Sequence, residues 1–179
     1  MTTAISGRTQ ETEHYSFTAR WLHWASAILI IWATLSGLSV SLLEVDQNIA
    51  HRIADFNVSA TLVFIPFFIW RIAYRIRYGS PEYANQVSEF TQKMAIRVHY
   101  LLYGMTSLVL ISGVFMMDRA FSIFHLIELQ PLLTSEPSIH FFEQLHVLSS
   151  RTLGLLVLLH ILAVIKHQLT NNQILKRMI

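Results

Sequence analysis

Four long stretches of apolar residues divide the chain, and polar or charged residues separate them. Roughly 20 apolar residues in a helix cross a bilayer core about 30 Å thick, and each stretch is long enough to do so. The pattern predicts an all-α protein, a bundle of four transmembrane helices at about residues 20–43, 54–77, 96–118 and 141–169. Because the connecting segments on the outer side are short, it also predicts one membrane-embedded domain over residues 1–179.

Lysine and arginine are distributed unequally between the two sides of this bundle. Ten lie on the side of the chain termini and two on the opposite side. Because positively charged flanks remain in the cytoplasm, both termini are predicted to be cytoplasmic. The first group is Arg8, Arg20, Arg71, Arg75, Arg77, Lys93, Arg97, Lys166, Lys176 and Arg177, the second is Arg52 and Arg119, and Arg151 is counted with neither.

Composition supports a membrane protein and argues against several other classes. Hydrophobic residues make up 53% of the chain and charged residues 13%, whereas a soluble domain has about 25% charged residues. The chain has no cysteine, which excludes thiol catalysis, thiolate-bound metals and cysteine-held iron–sulfur clusters. No nucleic-acid partner is expected, since the net charge is only +2 and no basic groove with aromatic residues is apparent.

Nine histidines contrast with this scarcity of charge, and three of them lie within the predicted helices. An ionisable side chain inside a bilayer is costly unless it is paired, so it suggests a function. His146 and His160 are 14 residues apart on helix four, which places them on one face and about 21 Å apart along the axis. His23 on helix one lies at a depth similar to that of His160, so these two can face each other across the bundle.

Facing imidazoles with few carboxylates suit a bis-histidine haem b better than a non-haem metal, which usually recruits more ligands. Glu143 is the one obvious carboxylate at a membrane edge. For any single histidine a hydrogen-bonded interior imidazole is the simpler interpretation, but the joint pattern favours haem. Interfacial water can solvate His99 and His167. Surface imidazoles are expected in the flanks and external segments, at His14, His51, His125 and His140.

Taken in order, several motifs resemble the bacterial four-helix cytochrome b561 family, which is similar to the cytochrome b subunits of membrane hydrogenases and formate dehydrogenases. The resemblance extends from about Tyr15 to Met178 and implies a multi-pass protein of the bacterial cytoplasmic (inner) membrane. The matching residues are Arg20-x-x-His23-Trp24, Trp70-Arg71-x-x-x-Arg75, His99, Met116-Met117, His146, Leu159-His160, His167 and Ile174-Leu175-Lys176-Arg177-Met178.

The resemblance implies two stacked haems. His23 and His160 would bind the iron of the cytoplasmic haem, and His146 would bind that of the outer haem together with a histidine of helix two. At that helix-two position this chain has Asn57, and asparagine is a very poor ligand for haem iron. One haem b is therefore expected, and a second remains open.

Three arrangements are open for the outer site. The haem is absent, and Asn57, Arg151 and His146 form a polar network in its place. Alternatively, the haem binds His146 and keeps one position of the iron open. In the third arrangement an external histidine takes the place of the helix-two ligand, and the candidates are His51, His125 and His140. For His51 this requires an irregular start of helix two.

Polar residues near the two ends of the helices have candidate roles of their own. Arg151 would bind a propionate of the outer haem, since arginine binds carboxylates with two hydrogen bonds. Without that haem it would pair with Asp55 or Glu143. His167 and His99 are candidates for a quinone site, because imidazole can pass protons near neutral pH. Interfacial anchoring is the simpler role for His99.

The resemblance implies membrane electron transfer through b-type haem. Some bacterial members of the family oxidise superoxide at the outer face and reduce ubiquinone. Superoxide and a membrane quinone are accordingly the expected donor and acceptor, and an enzymatic role would be that of a haem b oxidoreductase. The alternative is a haem-bearing or haem-depleted accessory subunit of a larger respiratory complex. Assembly into a dimer or such a complex is open.

Overall fold

A computed structural model describes residues 15–79 and 88–170, which form four long helices and a short β-hairpin. All four helices are long and apolar enough to cross a membrane, so the predicted four-helix architecture is confirmed. His14 and the counted basic residues Arg8, Lys176 and Arg177 lie outside the described residues. The elements are α1 (Phe17–Leu42), α2 (Gln47–Tyr78), α3 (Glu89–Phe115), β1 (Phe121–Ile123), β2 (Ile127–Leu129) and α4 (Glu136–Leu169).

Three helices begin five to seven residues before the predicted boundaries, because polar capping residues precede their apolar segments. Asp46 caps α2 by accepting hydrogen bonds from backbone N–H groups of the first turn. Ser88 caps α3 in the same way, and Pro137 lies in the first turn of α4, where its missing N–H is tolerated. These first turns are largely polar. The predicted helices, which follow the apolar segments, therefore begin after them.

The helix interfaces contain small polar side chains beside a few apolar ones, as is typical of membrane bundles. Ser26 and Ser112 donate to backbone carbonyls one turn earlier in their own helices, so burial leaves these hydroxyls hydrogen-bonded. Many large apolar side chains point outward, which suits a surface in contact with lipid. The buried residues are Leu22, Phe64, Phe68, Leu110 and Leu153, with Ser26, Ser36, Ser59, Thr106, Ser112 and Ser149.

The bundle consists of two helical pairs. Helix α1 packs along α2 and α3 packs along α4, while the contacts between the two pairs are sparser. Helix α1 begins and α4 ends at what we call the terminal end of the bundle, and the opposite end is the hairpin end. Because packing between the pairs is looser, side chains from several helices line two cavities there, one toward each end.

Strands β1 and β2 form an antiparallel hairpin in which Phe121 pairs with Leu129. The segment was predicted to be an external loop, and its three-residue strands are too short to appear in a hydrophobic pattern. Ser59 of α2 holds the hairpin: its hydroxyl donates to the carbonyl of Ser122 and accepts from the N–H of Phe124, both at 3.0 Å. The hairpin therefore packs against α2 at the hairpin end.

Candidate functional site

Three histidines from three helices meet toward the terminal end of the bundle. They are His23 on α1, His99 on α3 and His160 on α4. The imidazole rings of His99 and His160 have centroids 5.5 Å apart and an interplanar angle of 63°. His23 lies close enough to both to interact with them electrostatically. His23 and His160 thus lie within electrostatic range of each other, and the fold adds His99 beside His160.

Arg71 on α2 joins this cluster. Its guanidinium donates a hydrogen bond of 2.9 Å to Nδ1 of His23 and lies 5.2 Å from the ring centroid of Tyr103. Because arginine only donates, Nδ1 of His23 accepts, and the proton of the neutral imidazole lies on Nε2. Arg75 lies one turn further on and donates to the carbonyl of Gly79. The sequence pattern placed both arginines on the basic side and in the motif Trp70-Arg71-x-x-x-Arg75, but spacing along the chain cannot reveal a contact between helices.

Two nitrogen atoms of this end are buried and have no hydrogen-bond partner among the described residues: Nε of Arg20 and Nδ1 of His99. Buried polar atoms are normally hydrogen-bonded, so these two atoms suit a polar or anionic group. The expectation that water solvates His99 is wrong for Nδ1. His167 is half-buried and lies two helical turns beyond His160, toward the same end.

The cavity at the terminal end is small, about 50 Å³, and His23, Arg71, Arg75, His99 and Tyr103 contribute to its lining. Of the three histidines at this end, His23 and His99 line the cavity, and His160 lies beside His99. Imidazole is the usual ligand of b-type haem iron, and arginine binds carboxylates such as the propionates. A porphyrin fits only if Arg71 releases His23 and the walls separate. Within residues 15–79 and 88–170, no group of three or more His, Asp or Glu residues could hold a bare metal ion.

At the hairpin end, α3 holds the imidazole of His146 in one orientation. Nδ1 of His146 lies 3.1 Å from the carbonyl oxygen of Val109 and 3.3 Å from the hydroxyl of Ser112. A carbonyl only accepts, so Nδ1 carries the proton and Nε2 keeps its lone pair. Gly113 provides the space: a Cβ at that position would lie 3.1 Å from Cε1 of the imidazole. This is how proteins commonly orient a histidine that binds a metal.

His146 lines the larger of the two cavities. Its volume is about 340 Å³, and residues of all four helices contribute to its wall, Asn57 and Arg151 among them. Pockets for small molecules and cofactors typically span about 300–1,000 Å³. The donor set, the glycine beside the imidazole and the volume of the cavity therefore fit a haem held by His146.

The side chain of Asn57 is held against α1. Its Oδ1 accepts from the indole N–H of Trp32 at 3.1 Å, and its Nδ2 donates to the hydroxyl of Ser36 at 2.9 Å. Among the described residues it makes no hydrogen bond to His146 or Arg151, so the polar network expected for a haem-free site is not formed.

Arg151 lies on the cavity wall and is partly exposed. In the described part of the chain it forms no ion pair with Asp55 or Glu143, the two partners expected in the absence of an outer haem. Glu143 instead lies 3.3 Å from Nδ1 of His140. The guanidinium of Arg151 is therefore available to an anionic group in the cavity.

The three external imidazoles that could replace a helix-two ligand are all exposed. His51 lies in the second turn of α2, which starts regularly at Gln47, and His125 lies in the hairpin turn. His140 interacts with side chains of its own helix. Of the described residues that line the large cavity, none is His51, His125 or His140.

Comparison with known proteins places the chain in a family. The model of the family described as prokaryotic cytochrome b561 matches residues 14–179. The chain belongs to the prokaryotic cytochrome b561 family. No curated protein matches the chain. The resemblance inferred from the motifs is thereby confirmed.

Membership in the cytochrome b561 family, together with four helices that can span a membrane, makes this a multi-pass protein of the bacterial inner membrane. It also assigns the chain to electron transport through b-type haem.

Proposed function

We propose that this protein transfers single electrons through a b-type haem held by His23 and His160 near the terminal end. The observation that carries the proposal is the meeting of these two imidazoles with Arg71 in a member of the cytochrome b561 family. Haem b supplies an iron that accepts and releases one electron. With His23 and His160 as its two protein ligands, a haem here would transfer electrons and would not bind oxygen.

The arginines and the third histidine have separate roles in this proposal. Arg71, which donates to His23 in the structure, would hold a carboxylate of the cofactor, and Arg75 would add positive charge beside it. His99 lies next to His160 but is not an iron ligand. With His167 it forms the part of the terminal end that donates protons to a membrane quinone such as ubiquinone.

The expected electron donor is a small oxidisable species such as superoxide at the opposite face of the membrane. Its electron has to cross the bundle, and the site that lies between that face and His160 is the one around His146. This donor and the quinone acceptor are the finer part of the proposal. They are tested by stopped-flow reduction of the haem with superoxide and its reoxidation with a soluble ubiquinone.

Haem content tests the ligand assignment. Detergent-purified wild-type protein, His160→Ala and His140→Ala are compared by a pyridine haemochrome assay with protein quantification. His160→Ala should lose one haem per chain. His140→Ala should lose none, because His140 is an exposed histidine of the same helix. Unchanged haem in His160→Ala would show that the assignment of His160 is wrong.

Asn57 favours a second candidate function, because the helix-two ligand expected of a transmembrane relay is missing. In that case the protein is an accessory subunit of a larger respiratory complex, haem-bearing or haem-depleted. Wild-type protein without haem would support this candidate and overturn the electron-transfer proposal. One or two haems per chain, with one dependent on His160, would support electron transfer.

A further inference from the structure

The bundle has an oriented imidazole next to its larger cavity, away from the terminal end. Nδ1 of His146 donates to the carbonyl of Val109, and in the described part of the chain Nε2 has no hydrogen-bond partner. An imidazole whose Nδ1 proton is committed to a carbonyl is suited to bind a metal through Nε2. The structure thus provides one axial ligand for a haem at the hairpin end.

Among residues 15–79 and 88–170, no second histidine lines this cavity. Asn57 of α2 lines the cavity at the position where the family resemblance implies a histidine, and its amide is hydrogen-bonded to Trp32 and Ser36. The exposed external histidines do not contribute to the described cavity wall. Asn57 is neutral and polar, and one of its two amide hydrogens has no partner among the described residues. This hydrogen is therefore a donor without a protein acceptor among the described residues.

We propose that a haem in this cavity has His146 as its sole protein ligand, so that its iron keeps an open position for small diatomic ligands such as carbon monoxide, nitric oxide or dioxygen. The inference rests on the haem-binding part of the proposed function but concerns the other site. The polarity and the hydrogen-bond donors of the open side determine which ligand an iron retains. Asn57 supplies the polar group there, and Arg151 supplies a cation for a propionate.

Carbon monoxide is the probe, because reduced haem with an open position binds it and a bis-histidine haem does not. Dithionite-reduced protein in detergent is titrated with carbon monoxide, and the difference spectrum is compared with the total haem of a pyridine haemochrome assay. Wild-type protein should contain two haems per chain, about half of which bind carbon monoxide. The oxidised protein should show a high-spin ferric signal by electron paramagnetic resonance beside the low-spin one.

Two variants identify the residues. Asn57→His restores a second imidazole, so carbon monoxide binding and the high-spin signal should disappear while haem content remains unchanged. His146→Ala should lose one haem per chain and all carbon monoxide binding. His160→Ala, in contrast, should lose the haem that does not bind carbon monoxide. Failure of the haem assignment at the terminal end can therefore be distinguished from failure of the assignment at the hairpin end.

Two results would overturn the proposal. Two haems that both refuse carbon monoxide in wild-type protein would mean that a second protein ligand completes the site. A single haem that is unaffected by His146→Ala would mean that the cavity holds no haem. The first result needs only wild-type protein and the second needs only His146→Ala, so both stand even where Asn57→His does not fold.

Discussion

The clearest test of how the fold positions His146 is the substitution Gly113→Ala. A Cβ at residue 113 would lie 3.1 Å from Cε1 and 3.3 Å from Nδ1 of the imidazole, whereas such atoms prefer about 3.5–4.0 Å. The ring therefore has to withdraw by roughly 0.5 Å. The 3.1 Å hydrogen bond from Nδ1 to the Val109 carbonyl then exceeds about 3.5 Å and is lost. A bond of this kind contributes about 0.5–1.5 kcal/mol.

Gly104→Ala is the matched control, because the same helix provides open space around that residue. Replacing glycine by alanine raises the helix propensity of both variants by up to about 1 kcal/mol, so this contribution cancels when their stabilities are compared. In thermal unfolding in detergent, Gly113→Ala should be less stable than Gly104→Ala by about 1 kcal/mol. It should also lose the carbon-monoxide-binding haem. Equal stability and equal haem content in the two variants would refute the positioning role of Gly113.

Three further predictions concern other parts of the bundle. Arg71→Gln should lower the midpoint potential of the haem at His23 by roughly tens of millivolts, since a lost cation disfavours the reduced form; Arg71→Lys should preserve it in a redox titration. His99→Ala should keep the haem content but slow reoxidation by ubiquinone in stopped-flow, and loss of haem would instead make His99 a ligand. Ser59→Ala should lower the free energy of unfolding by about 1–3 kcal/mol and speed proteolysis of the hairpin. Ser39→Ala, whose hydroxyl bonds only within its own helix, should do neither.

The existence of the four helices could be predicted because each apolar segment is long enough to span a bilayer by itself. Their beginnings could not, because capping by residues such as Asp46 and Ser88 is a local polar interaction outside the apolar pattern. The β-hairpin was missed for a related reason: Ser59, 63 positions away from Ser122, holds it. Contacts between distant segments leave no periodic signal.

The sequence by itself determined the membrane architecture, the family and the depths of His23, His146 and His160, since these depend on composition and on spacing along single helices. It also showed that Asn57 stands where the family resemblance implies a histidine. Only the tertiary structure decided which groups these side chains meet. It brings Arg71 onto His23 and aligns Nδ1 of His146 with a carbonyl of α3. Packing between helices determines these contacts, and the spacing of residues within one helix does not reveal how the helices pack.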